Sequence, residues 1–166
     1  YVPAVDETNG VAFDTANKVI DFMNAIIEEN DRFFYFVRSP EDIDKSTFNK
    51  KVGIAYGMEN GGPLEGKLER LKYFADKGIS YITLTHSKSN HISDSSYDET
   101  RRWDGLSPFG VEVVKEMNRL GMMIDISHVS DEAFFQVLEL SSAPTVATHS
   151  SLRHFVPDFE RNVSDE

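Results

Sequence analysis

The chain has 166 residues, 40% of them hydrophobic, and is long enough to bury one core. Because no linker divides it, residues 1–166 are expected to form a single domain. The net charge of −11 argues against nucleic acid or an anionic membrane as the main partner, since both require a basic surface. The sequence has no cysteine, which excludes a disulfide scaffold and a thiolate zinc site, and no stretch approaches the roughly 18 apolar residues of a membrane span.

The first part of the chain predicts helices that alternate with strands. Apolar residues at helical spacing predict an amphipathic helix over Phe13–Ile27. The runs Phe33–Val37 and Val52–Met58 predict two strands, and between them Ser39 and Pro40 open a short helix. This alternation is typical of a parallel α/β fold.

The alternation continues in the middle of the chain. Leu64–Lys77 is predicted to be a helix and Tyr81–Thr85 a strand. Ser87–Asp104 is a long polar loop without periodicity, and such loops in compact domains are often functional. The next helix runs over 108–120, with Ser107 as its cap.

The most informative stretch reads as strand, helix, strand. Met122–Ile126 and Thr145–Thr148 are the strands, and Asp131–Leu140 is the helix between them. His128 and His149 each follow one of these strands. Because the carboxyl ends of two parallel strands in such a unit lie side by side, both imidazoles are expected at one rim of the sheet.

Five strands that alternate with helices predict a parallel sheet with helices outside it. A complete (β/α)8 barrel needs about 250 residues and eight strands, so the chain fits either an open five-stranded sheet or part of a barrel. In a lone domain, Phe33–Val37 and Thr145–Thr148 would be bare edges, which proteins usually protect. We therefore favour a partial (β/α)8 barrel that lacks the first and last strands.

Four strands end in a side chain that can bind a divalent metal. These residues are Glu59, His86, His128 and His149. Each one alone is more often an ordinary polar residue at a strand end, but catalysis in parallel α/β folds takes place at this rim, and only His91 and His154 of the five histidines lie elsewhere.

A set of histidine and carboxylate ligands without sulfur suits Zn²⁺, Mn²⁺, Co²⁺ or Fe²⁺ in an open catalytic site. Two histidines and one carboxylate leave a position for water, whose pKa the metal lowers toward about 7. The pattern therefore predicts metal-assisted hydrolysis.

Five segments carry a more specific signal. They are GMENG (57–61), YITLTH (81–86), GLSPFGVEVVKEMNRLGMMIDISHVS (105–130), SSAPTVATHSS (141–151) and RNVSDE (161–166). Together they resemble the membrane dipeptidase (renal dipeptidase) family, peptidase family M19, from about residue 33 onward. The resemblance implies a (β/α)8 barrel with a binuclear zinc site, in which a metal-bridging hydroxide cleaves dipeptides.

The resemblance also implies a role for each matched residue. Glu59 resembles the carboxylate that bridges both metals, and His128 and His149 resemble the other protein ligands of one zinc ion. His86 resembles the catalytic histidine that contacts the substrate and steadies the tetrahedral intermediate. Arg161 resembles the arginine that binds the substrate carboxylate, a task that suits the planar guanidinium.

Two departures from the family pattern limit what this chain is expected to do. The family's first strand carries a His-x-Asp pair for the other zinc ion, and no such pair precedes the first helix here. An acidic residue of a late strand would lie beyond Glu166. The chain is thus expected to retain one of the two zinc sites and to be inactive alone.

Supporting roles and rival functions complete the predictions. Asp125 is expected to support the ligands and Asp131 to cap a helix, and Tyr97 and Trp103 either wall a substrate pocket or only pack. One rival function is another amidohydrolase-type metal-dependent hydrolase, although Arg161 favours dipeptides. A second rival is a non-catalytic α/β module that binds one metal ion. The family analogy allows a homodimer and a secreted, periplasmic or membrane-anchored parent protein.

Overall fold

A computed structural model describes residues 1–43 and 50–165 of the chain. Its helices are α1 (Ala4–Thr8), α2 (Ala12–Glu29), α3 (Glu69–Asp76), α4 (Pro108–Leu120) and α5 (Asp131–Leu140), its strands are β1 (Phe34–Phe36), β2 (Val52–Ile54), β3 (Tyr56–Glu59), β4 (Ile79–Thr83) and β5 (Met123–Asp125), and 3₁₀ turns span Gly62–Leu64 and Arg153–Phe155. The short helix predicted to open at Ser39 and Pro40 is helical over residues 40–43, and residues 44–49 lie outside the described part of the chain. Across the described part of the chain, no helix combines the length and apolarity needed to cross a bilayer.

All pairs among the five strands described above are parallel. Strand β1 pairs with β2, and β4 lies between β3 and β5 in a separate three-stranded sheet. In the latter sheet Glu59 pairs with Thr83, Thr83 pairs with Asp125, and Asp125 forms an isolated parallel bridge with Val146. We call these four residues the rim row, because they bring the carboxyl ends of four chain segments level with one another.

Helix α4 shows how local sequence signals place a helix against this sheet. The Ser107 hydroxyl accepts a hydrogen bond from the Gly110 N–H at 2.9 Å, Pro108 occupies the first helical position, and Gly121 ends the helix with φ 70°. The apolar face of α4 packs into the main core with side chains from α3, β4, β5 and α5. Fully buried members of this core are Leu71, Phe74, Ile82, Val113, Val114, Met117 and Val137. Burying each large apolar side chain contributes about 1.5–3 kcal/mol.

Two predicted elements are divided in the structure. The predicted strand Val52–Met58 forms β2 and β3, because its first residues pair with β1 and its last residues pair with β4. The predicted helix Leu64–Lys77 was wrong in its first turn, since Glu65 (φ 45°) and Gly66 (φ 70°) adopt left-handed conformations that a helix cannot include.

The last predicted strand, Thr145–Thr148, was also wrong as a regular strand. Only Val146 pairs with β5, through the bridge to Asp125. Pro144 has no N–H to donate, and the Thr148 N–H donates to the Asp125 carboxylate at 3.1 Å instead of to a backbone carbonyl. The segment nevertheless runs parallel to β5 for long enough to bring His149 to the rim.

The cap of α5 differs from the prediction by one residue. Ser130 is the N-cap, and its hydroxyl accepts from the Ala133 N–H at 3.3 Å. Asp131 is the first helical residue and instead forms an ion pair with Arg153 at 2.6 Å. Helix α1 was not predicted at all, because its five residues are too few to show a helical period.

Candidate metal centre

The rim row determines where the four predicted donors lie. Glu59 is itself a member of the row, and His86, His128 and His149 each follow a member of the row by three residues. Equal spacing from residues that are level with one another brings the four side chains together above the end of the sheet. The structure thus gathers all four residues that the sequence singled out at strand ends.

Three donor atoms lie especially close to one another. Glu59 Oε1 is 3.0 Å from His149 Nε2 and 3.2 Å from His128 Nε2, and the two Nε2 atoms are 2.9 Å apart. Ligands about 2.0–2.1 Å from a tetrahedral zinc ion are separated by about 3.3 Å. The spacing of this donor set therefore fits a common divalent ion.

His86 provides a fourth donor at the edge of this group. Its Nε2 is 3.5 Å from Glu59 Oε1, and donor atoms of Glu59, His86 and His128 all lie within 4.8 Å of one another. The His86 ring packs between His128 and Tyr1, with centroid distances of 4.3 and 4.4 Å. Because the trio that includes His149 is more tightly spaced, we treat His86 as a neighbour of the metal position.

The long loop predicted over Ser87–Asp104 holds the backbone of the site histidines. His128 has φ 74°, a left-handed conformation that costs a non-glycine residue about 1–3 kcal/mol. The Ser96 N–H and hydroxyl both donate to the His128 carbonyl, at 2.8 and 3.0 Å, and the Ser95 hydroxyl donates to the His86 carbonyl at 2.5 Å. The loop therefore stabilises a backbone conformation that β5 and α5 alone would not maintain.

Asp125 is the buried anchor beneath the donors. Its Oδ2 accepts from the hydroxyls of Thr83 and Thr148, both at 2.6 Å, and its Oδ1 accepts from the backbone N–H groups of Ser127 and Thr148 at 3.0 and 3.1 Å. Burial alone would raise the pKa of this carboxyl, but these four hydrogen bonds outweigh burial and hold the pKa below its ordinary value. Asp125 is therefore ionised and binds Thr83, Ser127 and Thr148 beneath the donors, and its support of metal ligands stays a prediction.

His149 is positioned by contacts on three sides. Its N–H donates to the Ser127 hydroxyl at 3.2 Å, its carbonyl accepts from Arg161 Nη2 at 2.9 Å, and its Nδ1 lies 2.7 Å from the Thr148 hydroxyl oxygen. These contacts leave Nε2 directed toward Glu59 and His128.

Electrostatics favour neutral rings at two of the histidines. Burial, reinforced by the positive charge of Arg161, lowers the pKa of His128 to about 4. Burial likewise lowers the pKa of His86, although Glu59 opposes this effect. Neutral imidazole is the form that binds a metal ion, since it keeps a lone pair.

Arg161 lies beside the metal position. Its Nη1 donates to the Ser150 hydroxyl at 2.6 Å, and its Nη2 donates to the His149 carbonyl. Among residues 1–43 and 50–165, no carboxylate forms an ion pair with Arg161. Of the N–H groups of this guanidinium, these contacts use one on each terminal nitrogen and leave others available within the described part of the chain.

The two loop aromatics have different surroundings. The Tyr97 ring lies 5.9 Å from the His128 ring and 6.1 Å from that of Phe159, so it borders the site. Trp103 donates from Nε1 to the Asn90 carbonyl and from its N–H to the Asp94 carboxylate, which supports the loop from within.

Sequence reasoning missed the two threonines that hold Asp125. Thr83 and Asp125 precede His86 and His128 by the same three residues, and this repeated spacing was the available signal. Thr148 directly precedes His149, and nothing in the local sequence indicates that its hydroxyl faces Asp125.

Comparisons with known proteins match most of this chain. The family model described as membrane dipeptidase (peptidase family M19) matches residues 1–166. The chain is 36% identical to dipeptidase tcpJ of Claviceps purpurea over 88% of its own length and 34% of that protein. It therefore spans about a third of this curated relative.

Solved structures show the same partial match. The probable dipeptidase PvdM from Pseudomonas aeruginosa has a TM-score of 0.86 and 30% identity, covering 99% of this chain and 42% of that one. A metallo peptidase from Rhodobacter sphaeroides, liganded with a phosphinate mimic of the dipeptide L-Ala-D-Ala, has a TM-score of 0.78 and 26% identity, covering 94% and 44%. These similarities confirm the predicted fold class, part of a (β/α)8 barrel.

Proposed function

The chain belongs to the membrane dipeptidase family, peptidase family M19, and on this premise we propose that it supplies one metal site and the substrate-carboxylate clamp of a zinc-dependent dipeptidase. One observation carries the proposal. Donor atoms of Glu59, His128 and His149 approach one another to within 3.2 Å, the separation expected of ligands that share an ion.

Glu59, His128 and His149 would hold the metal. A divalent metal ion bound there lowers the pKa of water toward about 7 and polarises a carbonyl group. Two imidazoles and one carboxylate are a donor set that suits zinc and would leave a position for water. In the proposed binuclear centre Glu59 would also be a ligand of the other ion. Residues 1–166 contain no histidine before His86, so they lack the His-x-Asp pair for that ion.

Two further residues would act on the substrate. His86 lies next to the proposed metal position, so an N–H from its ring can donate to negative charge that develops on the oxygen of the scissile carbonyl. Removing such a donor costs about 2.7–4 kcal/mol in other enzymes. Arg161 would bind the carboxylate of the dipeptide through its remaining N–H groups, which restricts the site to very short peptides.

The first test measures the 166-residue chain alone. We expect it to bind one zinc ion per chain in equilibrium dialysis and to release no amino acids from dipeptides. Two ions per chain, or zinc-dependent turnover, would contradict the assignment of one site to these residues.

A chimaera tests the activity itself. Residues 1–166 would replace the matched part of the probable dipeptidase PvdM, which supplies the rest of a barrel. We expect two zinc ions per chain and hydrolysis of dipeptides. In the same chimaera Arg161→Lys should raise KM for dipeptides and leave the zinc content unchanged, because lysine cannot form the planar two-bond contact. A folded chimaera that binds one ion and has no turnover would instead support the non-catalytic mononuclear module.

A further inference from the structure

The donor atoms of Glu59, His128 and His149 lie within 3.2 Å of one another. The positions of the protons on the two histidine rings therefore decide which contacts can form. Glu59 Oε1 and His149 Nε2 are 3.0 Å apart, close enough to be joined either by a hydrogen bond or by a metal ion that both atoms bind. Which of these is present depends on the tautomer of His149. The contacts on the other side of its ring decide that tautomer.

The chain of contacts begins at Asp125. This carboxylate is completely buried and receives four hydrogen bonds, two at each oxygen, which fill its acceptor sites. An ionised carboxylate can only accept, so the hydrogen in the 2.6 Å contact between Thr148 Oγ1 and Asp125 Oδ2 belongs to Thr148. The single hydroxyl hydrogen of Thr148 is therefore committed to Asp125.

The donor of the next hydrogen bond, between Thr148 and His149, is then determined. Thr148 Oγ1 lies 2.7 Å from His149 Nδ1, and since its hydrogen points to Asp125, the oxygen can only accept. The hydrogen must come from Nδ1 of the imidazole. Asp125 Oδ2 is also only 3.9 Å from Nδ1, and its negative charge favours a proton there. His149 consequently carries its proton on Nδ1 and presents a bare lone pair at Nε2.

We infer that Thr148 is a positioning residue that transmits the charge of Asp125 to His149, fixing the ring in the tautomer that leaves Nε2 available to a divalent metal ion. This relay deepens the proposed function and rests on it in one respect, the assignment of His149 as a ligand. Partners of this kind raise the basicity of a ligating histidine and fix its orientation, and their loss typically costs 10- to 100-fold in metal affinity.

The first measurement needs no substitution. Two-bond ¹H–¹⁵N correlation spectra of the metal-free chain, under mildly alkaline conditions in which imidazoles are neutral, report which nitrogen of His149 carries the proton. The His149 resonances are assigned by comparison with a His149→Gln variant. We expect the Nδ1–H form. A predominant Nε2–H form would overturn the inference, whether or not the complete enzyme cleaves dipeptides.

Substitutions then test the relay. Thr148→Val keeps the β-branched shape and removes the hydroxyl, so we expect a mixture of tautomers and zinc affinity lower by about 10- to 100-fold in competition with a chromophoric chelator. Thr148→Ser keeps the hydroxyl and should retain the Nδ1–H form and affinity within about threefold. Thr145→Val is the matched control, because Thr145 lies on the same segment and its hydroxyl has no hydrogen bond among the described residues.

Other results would count against the relay. If Thr148→Val is folded by circular dichroism and keeps both the Nδ1–H form and wild-type zinc affinity, Thr148 does not position His149. If Thr148→Val does not fold, the wild-type tautomer and the Thr148→Ser variant still decide the matter. Loss of zinc affinity in Thr145→Val to the same extent would show a general effect on the segment and would likewise overturn the inference.

Discussion

The candidate metal centre and the segment that carries Arg161 lie side by side, but different interactions hold them in place. Glu59, His128 and His149 project from one level row of parallel segments, and a completely buried carboxylate lies beneath them. The segment over residues 150–165 has one 3₁₀ turn and is largely exposed. It is tied down by side-chain ion pairs, from Arg101 to Glu160 and from Arg153 to Asp131.

The two regions are expected to differ in rigidity. Backbone pairing aligns the segments that carry the donors, and partly buried hydrogen bonds hold the residues after them, so the spacing of the donors should tolerate changes elsewhere on the surface. A segment held by a few partly exposed ion pairs opens more easily and can adjust. Such a difference suits the proposed functions, a rigid metal site beside an arginine that would bind the substrate carboxylate.

The largest expected effect comes from removing the charge at the centre of the rim. Glu59→Gln should lower zinc affinity by more than about 100-fold, equivalent to about 2.7 kcal/mol, because a neutral amide replaces the one anionic donor. Isothermal titration with zinc measures this. Glu112→Gln, on the exposed side of α4, serves as the control and should bind zinc as the unmodified chain does. Near-normal affinity of Glu59→Gln would mean that Glu59 is not a ligand.

The next prediction concerns the support beneath the loop that holds His128. Gly110 in α4 packs directly on the backbone of this loop, since a Cβ there would lie 2.1 Å from the Ile92 carbonyl oxygen. Gly110→Ala should therefore lower the free energy of unfolding by about 1–3 kcal/mol, despite the better helix propensity of alanine. Urea denaturation measures the change.

Gly53→Ala provides the comparison for this substitution. The atoms nearest to a Cβ at Gly53 would be the Tyr35 hydroxyl and a Val37 methyl group, both at 2.6 Å, and side chains can move more easily than a backbone. We expect a smaller loss of stability than for Gly110→Ala. Equal losses of stability in the two variants would indicate that the backbone of the loop at Ile92 moves to make room for the added Cβ. The rim would then be less rigid than the parallel pairing of its segments predicts.

The same contrast explains what the sequence could predict. Strand ends and their polar residues are encoded locally, so the gathering of Glu59, His86, His128 and His149 followed from hydrophobic runs and the geometry of parallel strands. The roles of individual residues came from the family resemblance and stay predictions. Features that depend on distant side chains were missed, such as the hydroxyl of Thr148 facing Asp125.

The conformation of Glu65 was predicted wrongly for the same reason. The apolar spacing predicts a helix that includes Glu65. In the structure the carboxylate of Glu65 accepts from the Phe13 N–H at 3.1 Å and pairs with Arg70 at 2.6 Å. These contacts, one of them 52 residues away in the chain, help to hold Glu65 in its left-handed conformation. Only the tertiary structure could show them.

The smallest expected effect tests whether the two regions are independent. Glu160 accepts from Arg101 Nη2 and from the Asp131 N–H at 2.6 and 3.1 Å, and Glu160→Gln keeps an acceptor oxygen but removes the charge. The loss of stability should be about 0.5 kcal/mol, since the pair is partly exposed. Hydrogen exchange measured by mass spectrometry should become faster over residues 150–165 and stay unchanged over 123–129. Glu139→Gln, on the exposed surface of α5, should change neither. If exchange at 123–129 accelerated as much as at 150–165, the rim would depend on the ion pairs, and the two regions would form one cooperative unit.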